Sequence, residues 1–279
     1  MKSETTVKFD EKTAAAFANS WNNLPSGAIY TKAQVDDWLE PLSEDDIQGK
    51  ELLELGCGGG HLLVHILDKK PAWCTGVDLG SSLISAKQNL EATKYANWQL
   101  EQADLCTYTP KDDKKFDIVI CIGVLHHLSD PQMGFSAMLS NTKSGGKFHA
   151  WVYGYEGNFI VRVFVDPIRK FSSKLPWRIV KYGIAMPLAF IYFLYAKVLV
   201  VLPDAVNKYF PLATYSRWIA QREFAFFHHV AFDQLVTPQT LYFRKEDVCK
   251  MLDNEFVDPQ SVYLIQRNGN SWKFGGVRL

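Results

Sequence analysis

The segment Glu51–His61, ELLELGCGGGH, limits what this chain can fold into more than any other stretch of its 279 residues. An apolar run of strand length is followed by four glycines in five positions. Residues 60–70, GHLLVHILDKK, then place their apolar side chains at intervals of three and four, as an amphipathic helix does. Glycine at the end of a strand lets the chain turn sharply and lets a ligand lie against bare backbone, while the next helix offers free N–H groups. A flat or anionic ligand is expected there. The spacing GCGGG departs from GxGxxG, so a dinucleotide pyrophosphate is not the best fit, and close packing alone would also account for the glycines.

The same alternation continues downstream. Short apolar runs at 51–55, 73–78 (WCTGVD), 98–103 (WQLEQA), 116–121 (FDIVIC) and 146–153 (GKFHAWVY) are separated by SSLISAKQNLEATK, DPQMGFSAMLSNTK and the helical segment above. Strand and helix in repetition require right-handed crossovers and a parallel sheet covered on both faces. The chain closes with SVYLIQRNGNSWKFGGVRL, two alternating runs joined across Asn-Gly, the signature of a tight hairpin. The expected fold is α/β: a doubly wound, mostly parallel sheet with a terminal antiparallel hairpin, plus an inserted helical lobe. Its expected divisions are a helical lead-in (1–47), a ligand-binding core (48–153), the inserted lobe (154–238), and a last helix with the hairpin (239–279).

Four successive strand ends carry glycine or polar residues at one edge of the sheet, where open α/β sheets bind ligands. Asp78 stands about twenty residues beyond the glycines, where an acid can accept the hydroxyls of a ribose. Asp104 ends the third run, and the fourth leads into CIGVLHHLSDP. Taken together and in this order, ELLELGCGGG, GVDLGSS, QADL and IGVLHHLSDP resemble the successive motifs of class I S-adenosylmethionine-dependent methyltransferases, over about half the chain. The likeness to the ubiquinone and menaquinone methyltransferases is general and does not reach the acceptor site.

The resemblance implies a seven-stranded Rossmann-like sheet and S-adenosylmethionine as cofactor. It places Glu54, Gly56, Cys57, Gly58 and Gly60 in the loop under the methionine part. Asp78 holds the ribose and Leu79 flanks the adenine, while Asp104 and Leu105 meet the adenine amino group and ring. Ile122 and Gly123, with Val124, line the methyl-donor side, and His126 and His127 follow as candidate proton acceptors. The histidine pair can equally cap or pack. Tyr153, His228, His229, Asp233 and Tyr242 are candidates for facing the acceptor.

Thirty basic residues balance thirty acidic ones, so no global positive field gathers nucleic acid. A tRNA-modifying enzyme stays open as an alternative through one local basic segment, as does a cofactor-binding protein without catalysis. Five scattered cysteines without a CxxC pair argue for a reducing compartment, and the polar N-terminus lacks the apolar core of a signal peptide, so a cytoplasmic protein is expected. No HExxH motif is present. Adjacent His228 and His229 on a helix would point about 100° apart, so no metal is expected.

Acceptor choice falls to the insertion. Residues 162–181 carry six basic residues against one acid, interleaved with aromatics. Residues 184–202 then form a nineteen-residue apolar stretch whose one charge is Lys197. Helical, it would be about 28 Å long, close to a bilayer core. A membrane span, a buried helical subdomain and an interfacial patch across 160–205 are the three readings open. Pro187 and Lys197 weigh against the span, and either of the other two readings supplies an apolar lid, and hence a hydrophobic or lipid-like small-molecule acceptor. Oligomeric state is not indicated.

Overall fold

The computed structural model describes residues 4–22, 30–207 and 209–279. Three helices lead in: α1 (Glu4–Trp21), α2 (Lys32–Leu39) and the single turn α3 (Glu44–Ile47). The core then alternates β1 (Glu51–Leu55), α4 (His61–Leu67), β2 (Trp73–Asp78), α5 (Leu83–Glu91), β3 (Trp98–Gln102), β4 (Phe116–Ile122), α6 (Pro131–Asn141) and β5 (Thr142–Tyr153). The lobe contributes α7 (Asp166–Ser172), α8 (Met186–Val201), α9 (Asp204–Asn207), α10 (Ala213–Ile219) and α11 (Phe224–Val236). The chain ends with α12 (Lys245–Leu252), β6 (Tyr263–Arg267) and β7 (Ser271–Val277).

All seven strands join one sheet in the order β3-β2-β1-β4-β5-β7-β6. β1 to β5 run parallel, and β7 pairs antiparallel with both β5 and β6. The β6–β7 turn is closed by the Asn270 N–H donating to the Arg267 carbonyl at 3.1 Å. Asn268 and Gly269 both have positive φ, 51° and 68°, as a type I′ turn demands. β5 begins four residues earlier than the apolar pattern indicates, because its polar start, TKSGG, pairs with Phe116 across a register shift in β4.

Apolar side chains fill both faces of the sheet. Leu53, Phe135, Phe148 and Phe274 are buried on one face, and Leu52, Leu63, Ile66 and Ile120 on the other. α2 is fastened to the hairpin by charge: Arg267 Nε donates to Asp37 at 2.6 Å, and the buried Lys273 ammonium donates to Glu40 at 2.8 Å and to the Asp37 carbonyl at 2.7 Å.

Between 154 and 238 the described residues form helices and no strand. α8 packs on α10 and α11, and α11 packs on α1, which brings the lobe over the carboxyl edge of the sheet. The buried-subdomain reading of the apolar stretch fails for its outer side. A continuous helix runs over Ile179–Val201, and its most apolar eighteen-residue window is only 22% buried.

Candidate active site at the carboxyl edge of β1 and β4

The strand order reverses at β1, whose neighbours are β2 and β4, and the crevice at such a switch point is where α/β sheets take ligands. A cavity of about 500 Å³ occupies it and continues up into the lobe.

The chain leaves β1 through Gly56, which has φ +82°. Its N–H and that of Cys57 donate to the Val77 carbonyl at 2.7 and 3.0 Å, which turns the loop back toward β2. A Cβ on Gly56 would come within 2.5 Å of Val124 Cγ2, so bare backbone is needed to let this loop pass the end of β4. Gly58, Gly59 and Cys57 line the cavity floor. Gly60 does not line it. It is the N-cap of α4 and lies so near α5 that a Cβ would sit 3.1 Å from Ala86, so helix packing by itself calls for glycine there.

Asp78 faces the cavity from the end of β2. Its Oδ1 accepts from the Gly80 N–H (2.8 Å) and Ser82 Oγ (3.0 Å), and its Oδ2 from the Gly58 N–H (2.9 Å). A carboxylate has about four acceptor positions, so these three bonds leave room for one further donor. Burial outweighs those bonds and raises its pKa. Asp104 shapes its own turn, accepting the Cys106 N–H at 3.0 Å, and together with Leu105 and Leu79 forms the wall on the β2–β3 side. Ile122 and Gly123 form the opposite wall.

Glu54 is nearly fully buried beneath the glycine loop, and its Oε2 has no hydrogen-bond partner. Burial first, and the charge of Asp78 second, push its carboxyl up to about 8. A buried carboxyl with an unused oxygen, facing a cavity, suits a ligand that brings a cation or N–H donors. The residues present therefore fit an amino-acid-bearing nucleoside such as S-adenosylmethionine.

The two sequence-adjacent histidines part company. His127 lines the cavity, and its Nδ1–H donates to the Gln239 carbonyl at 3.1 Å, which leaves Nε2 with the lone pair. Burial lowers its pKa to about 3, so the ring is neutral at ordinary pH. His126 does not line the cavity. It is fully buried against the rings of His127, Trp151 and Tyr153, and its Nδ1 accepts the Tyr153 N–H at 3.4 Å. As a candidate proton acceptor it is corrected to a packing residue, because no open space reaches it.

A similar split separates the pair on α11. His229 lines the cavity, with Nε2 3.3 Å from Asp233 Oδ2, whereas His228 turns away and bonds the Lys181 carbonyl at 2.7 Å. His228 is therefore corrected from an acceptor-facing residue to a helix-packing one. Burial raises the pKa of Asp233 and lowers that of His229, and Ser20 Oγ donates to Asp233 Oδ1. Tyr153 and Tyr242 stack with ring centroids 6.3 Å apart. Tyr153 Oη accepts from Gln234 Nε2 at 2.8 Å, and Tyr242 Oη donates to Asp166 at 3.1 Å. Arg169 braces this wall from behind, donating to the Gln234 carbonyl (2.6 Å) and side chain (2.5 Å).

Several wall residues escape a reading of the motifs. α1 lies across the crevice, and Trp21 sits over the loop, with Nε1 3.4 Å from where a Gly58 Cβ would be. Trp21 also meets His229 edge-on at 5.3 Å, and Phe17 meets His127 at 4.7 Å. Asp10 ties α1 down by accepting the Ser129 N–H (3.0 Å) and hydroxyl (2.9 Å). The spacing of Phe17 and Trp21, one helical turn apart, signals that α1 packs on something but not on what.

A family model described as "Methyltransferase domain" matches residues 53–148, the span that contains the glycine loop, Asp78, Asp104 and His127. Residues 53–148 thus match a methyltransferase domain, at the edge of the sheet where the cavity lies. The chain is 39% identical over 101 residues to a ubiquinone biosynthesis O-methyltransferase of Coxiella burnetii, covering 36% of this chain and 42% of that protein. It is 33% identical over 105 residues to the protein of the same name from Idiomarina loihiensis, covering 37% and 42%. The chain thus spans less than half the length of these curated relatives. At the level of fold, the chain resembles the solved magnesium protoporphyrin IX methyltransferase of Synechocystis PCC 6803. The TM-score is 0.57 at 14% identity, over 99% of this chain and 100% of that one. An O-methyltransferase family protein from Burkholderia thailandensis gives 0.52 at 11% identity, over 88% and 55%.

Proposed function

We propose that this chain binds S-adenosylmethionine and transfers its methyl group to an apolar small molecule, at a hydroxyl oxygen. The observation that carries the reading is one continuous cavity. At the sheet edge it has the glycine loop, Glu54, Asp78 and Asp104, and in the lobe it is walled by Ile160, Phe164, Ile168, Leu188 and Ile219. Relatives of the core named ubiquinone biosynthesis O-methyltransferases support the apolar acceptor and the choice of oxygen.

When bound, the cofactor supplies an electrophilic methyl group on a sulfonium sulfur. The chain supplies position. Asp78 offers its remaining acceptor site to a ligand hydroxyl, and Glu54 offers an unpartnered carboxyl to a ligand donor. His127, kept neutral by burial, accepts a hydrogen bond from the acceptor's hydroxyl at Nε2 and orients that oxygen, its tautomer set by the bond from Nδ1 to Gln239. Tyr153, Gln234 and the His229–Asp233 pair hold the polar head of the acceptor, and the aliphatic wall excludes water. None of the five cysteines forms a disulfide, which a reducing compartment favours, and we place the enzyme in the cytoplasm.

Calorimetric titration with S-adenosylmethionine tests the reading directly. Asp78→Ala removes a ligand bond and a loop anchor, so binding should weaken by about 1–3 kcal/mol, roughly 5- to 150-fold. Absence of binding by the wild-type protein would refute the proposal.

A further inference from the structure

The helix Ile179–Val201 carries apolar side chains all round except at Lys181 and Lys197, yet only one side is covered. Ala189, Ala196 and Leu199 are buried against the lobe, while Ile191 (65% exposed), Leu194, Val198 and Val201 (78%) stand in solvent. Phe159, Phe164 and Phe171, from the segment just before it, are also exposed. So much aliphatic and aromatic surface on one lobe marks an interaction face.

Two observations indicate what covers it. The first is charge. From 159 to 201 the sequence carries seven basic residues and one acid. That acid, Asp166, is taken up by Arg169 and Tyr242. Lys170, Lys174 and Arg178 are exposed, and among the described residues none of them has an ion-pair partner. Free cations beside an apolar face match anionic headgroups above acyl chains. The second is continuity. Phe164 (59% exposed) and Leu188 (38%) belong at once to the outer surface and to the cavity wall. The cavity wall and the apolar outer surface therefore share these two residues.

We propose that the outer side of α8 and of the segment 159–171 rests on an anionic lipid layer, and that the acceptor passes from that layer into the cavity between Phe164 and Leu188 without crossing water. The inner side of the helix is committed to the lobe, with Lys197 Nζ donating to the Ala220 carbonyl at 2.6 Å, so the helix lies at the interface and does not span. This inference rests on the apolar-acceptor reading of the same cavity.

Flotation of the full chain with vesicles of phosphatidylcholine mixed with phosphatidylglycerol tests the docking. The wild-type protein should float with these vesicles, several-fold less at high salt, and less with phosphatidylcholine alone. The pair Ile191→Glu and Val198→Glu, outside the cavity wall, should abolish flotation while S-adenosylmethionine binding by calorimetry stays at the wild-type value. Lys170→Glu with Lys174→Glu should weaken flotation on anionic vesicles without affecting that on neutral ones. The mouth is tested by Leu188→Cys carrying an environment-sensitive fluorophore in a Cys249→Ser background, since the other four cysteines are buried. Its emission should shift to the blue on vesicle addition. A wild-type protein that binds S-adenosylmethionine but floats with no vesicle, or equally with anionic and neutral ones, would overturn the docking. A Leu188 label that keeps its aqueous emission on vesicle-bound protein would overturn the entry route. Loss of cofactor binding by the wild-type protein would instead count against the methyltransferase reading.

Discussion

Replacing Glu54 by glutamine should remove a specific pH dependence of stability. The carboxyl of Glu54 is raised from an ordinary 4.5 to about 8, by burial first and by Asp78 second. The folded state therefore holds this proton more tightly than the unfolded chain does. Stability from this group is full below pH 4.5, is lost as pH rises toward 8, and levels off above. Within that window the slope is about 1.4 kcal/mol per pH unit, and the whole interval corresponds to a ceiling of about 5 kcal/mol. Buried neutral histidines such as His127 and His149 act in the opposite direction at acid pH, so wild type and Glu54→Gln must be compared with each other. Urea unfolding at pH 6 and pH 8 should show the wild-type protein losing about 2–3 kcal/mol more than the variant over those two units. A ligand that brings positive charge to Glu54 lowers its pKa again. At pH 7 roughly nine-tenths of a proton is bound, so cofactor binding should release most of one. The heat of binding should then vary with the ionisation enthalpy of the buffer in wild type and not in Glu54→Gln. Parallel pH curves for the two proteins would refute the reasoning.

Gly56→Ala places a side chain at φ +82° and against Val124, so it should cost about 1–2 kcal/mol for the left-handed backbone and a further 1–3 for overpacking. Adding Val124→Ala should restore only the second part in urea unfolding. His127→Ala should lower turnover by less than the roughly 10²- to 10⁴-fold typical of a proton-transfer group, with little change in cofactor affinity, while His126→Ala should lower stability by about 2–4 kcal/mol and turnover less than His127→Ala does. The reverse pattern in steady-state kinetics and unfolding would exchange their roles. Because burial keeps His127 neutral down to about pH 3, its titration should put no break in the rate profile between pH 5 and 8.

Features written in short intervals of sequence were legible without coordinates. The apolar run before the glycines, the acids at the ends of successive strands and the Asn-Gly hairpin depend on residues a few positions apart. Periods of two and 3.6, and the backbone freedom of glycine, specify them locally. That was enough to expect the doubly wound sheet with its terminal hairpin and Asp78 and Asp104 at one edge of it, while Glu54 was placed only by the resemblance of the motifs. Tertiary structure alone decided which member of each histidine pair meets the cavity, since neighbours on one turn point apart and only the surrounding packing selects the open side. It alone set Trp21 over Gly58 and brought Ser20 to Asp233, 213 positions away. The apolar stretch is the clearest case. A helix that is hydrophobic all round carries no sign of which side its neighbours cover, and the exposed side of α8 emerged only once α10 and α11 had taken the other.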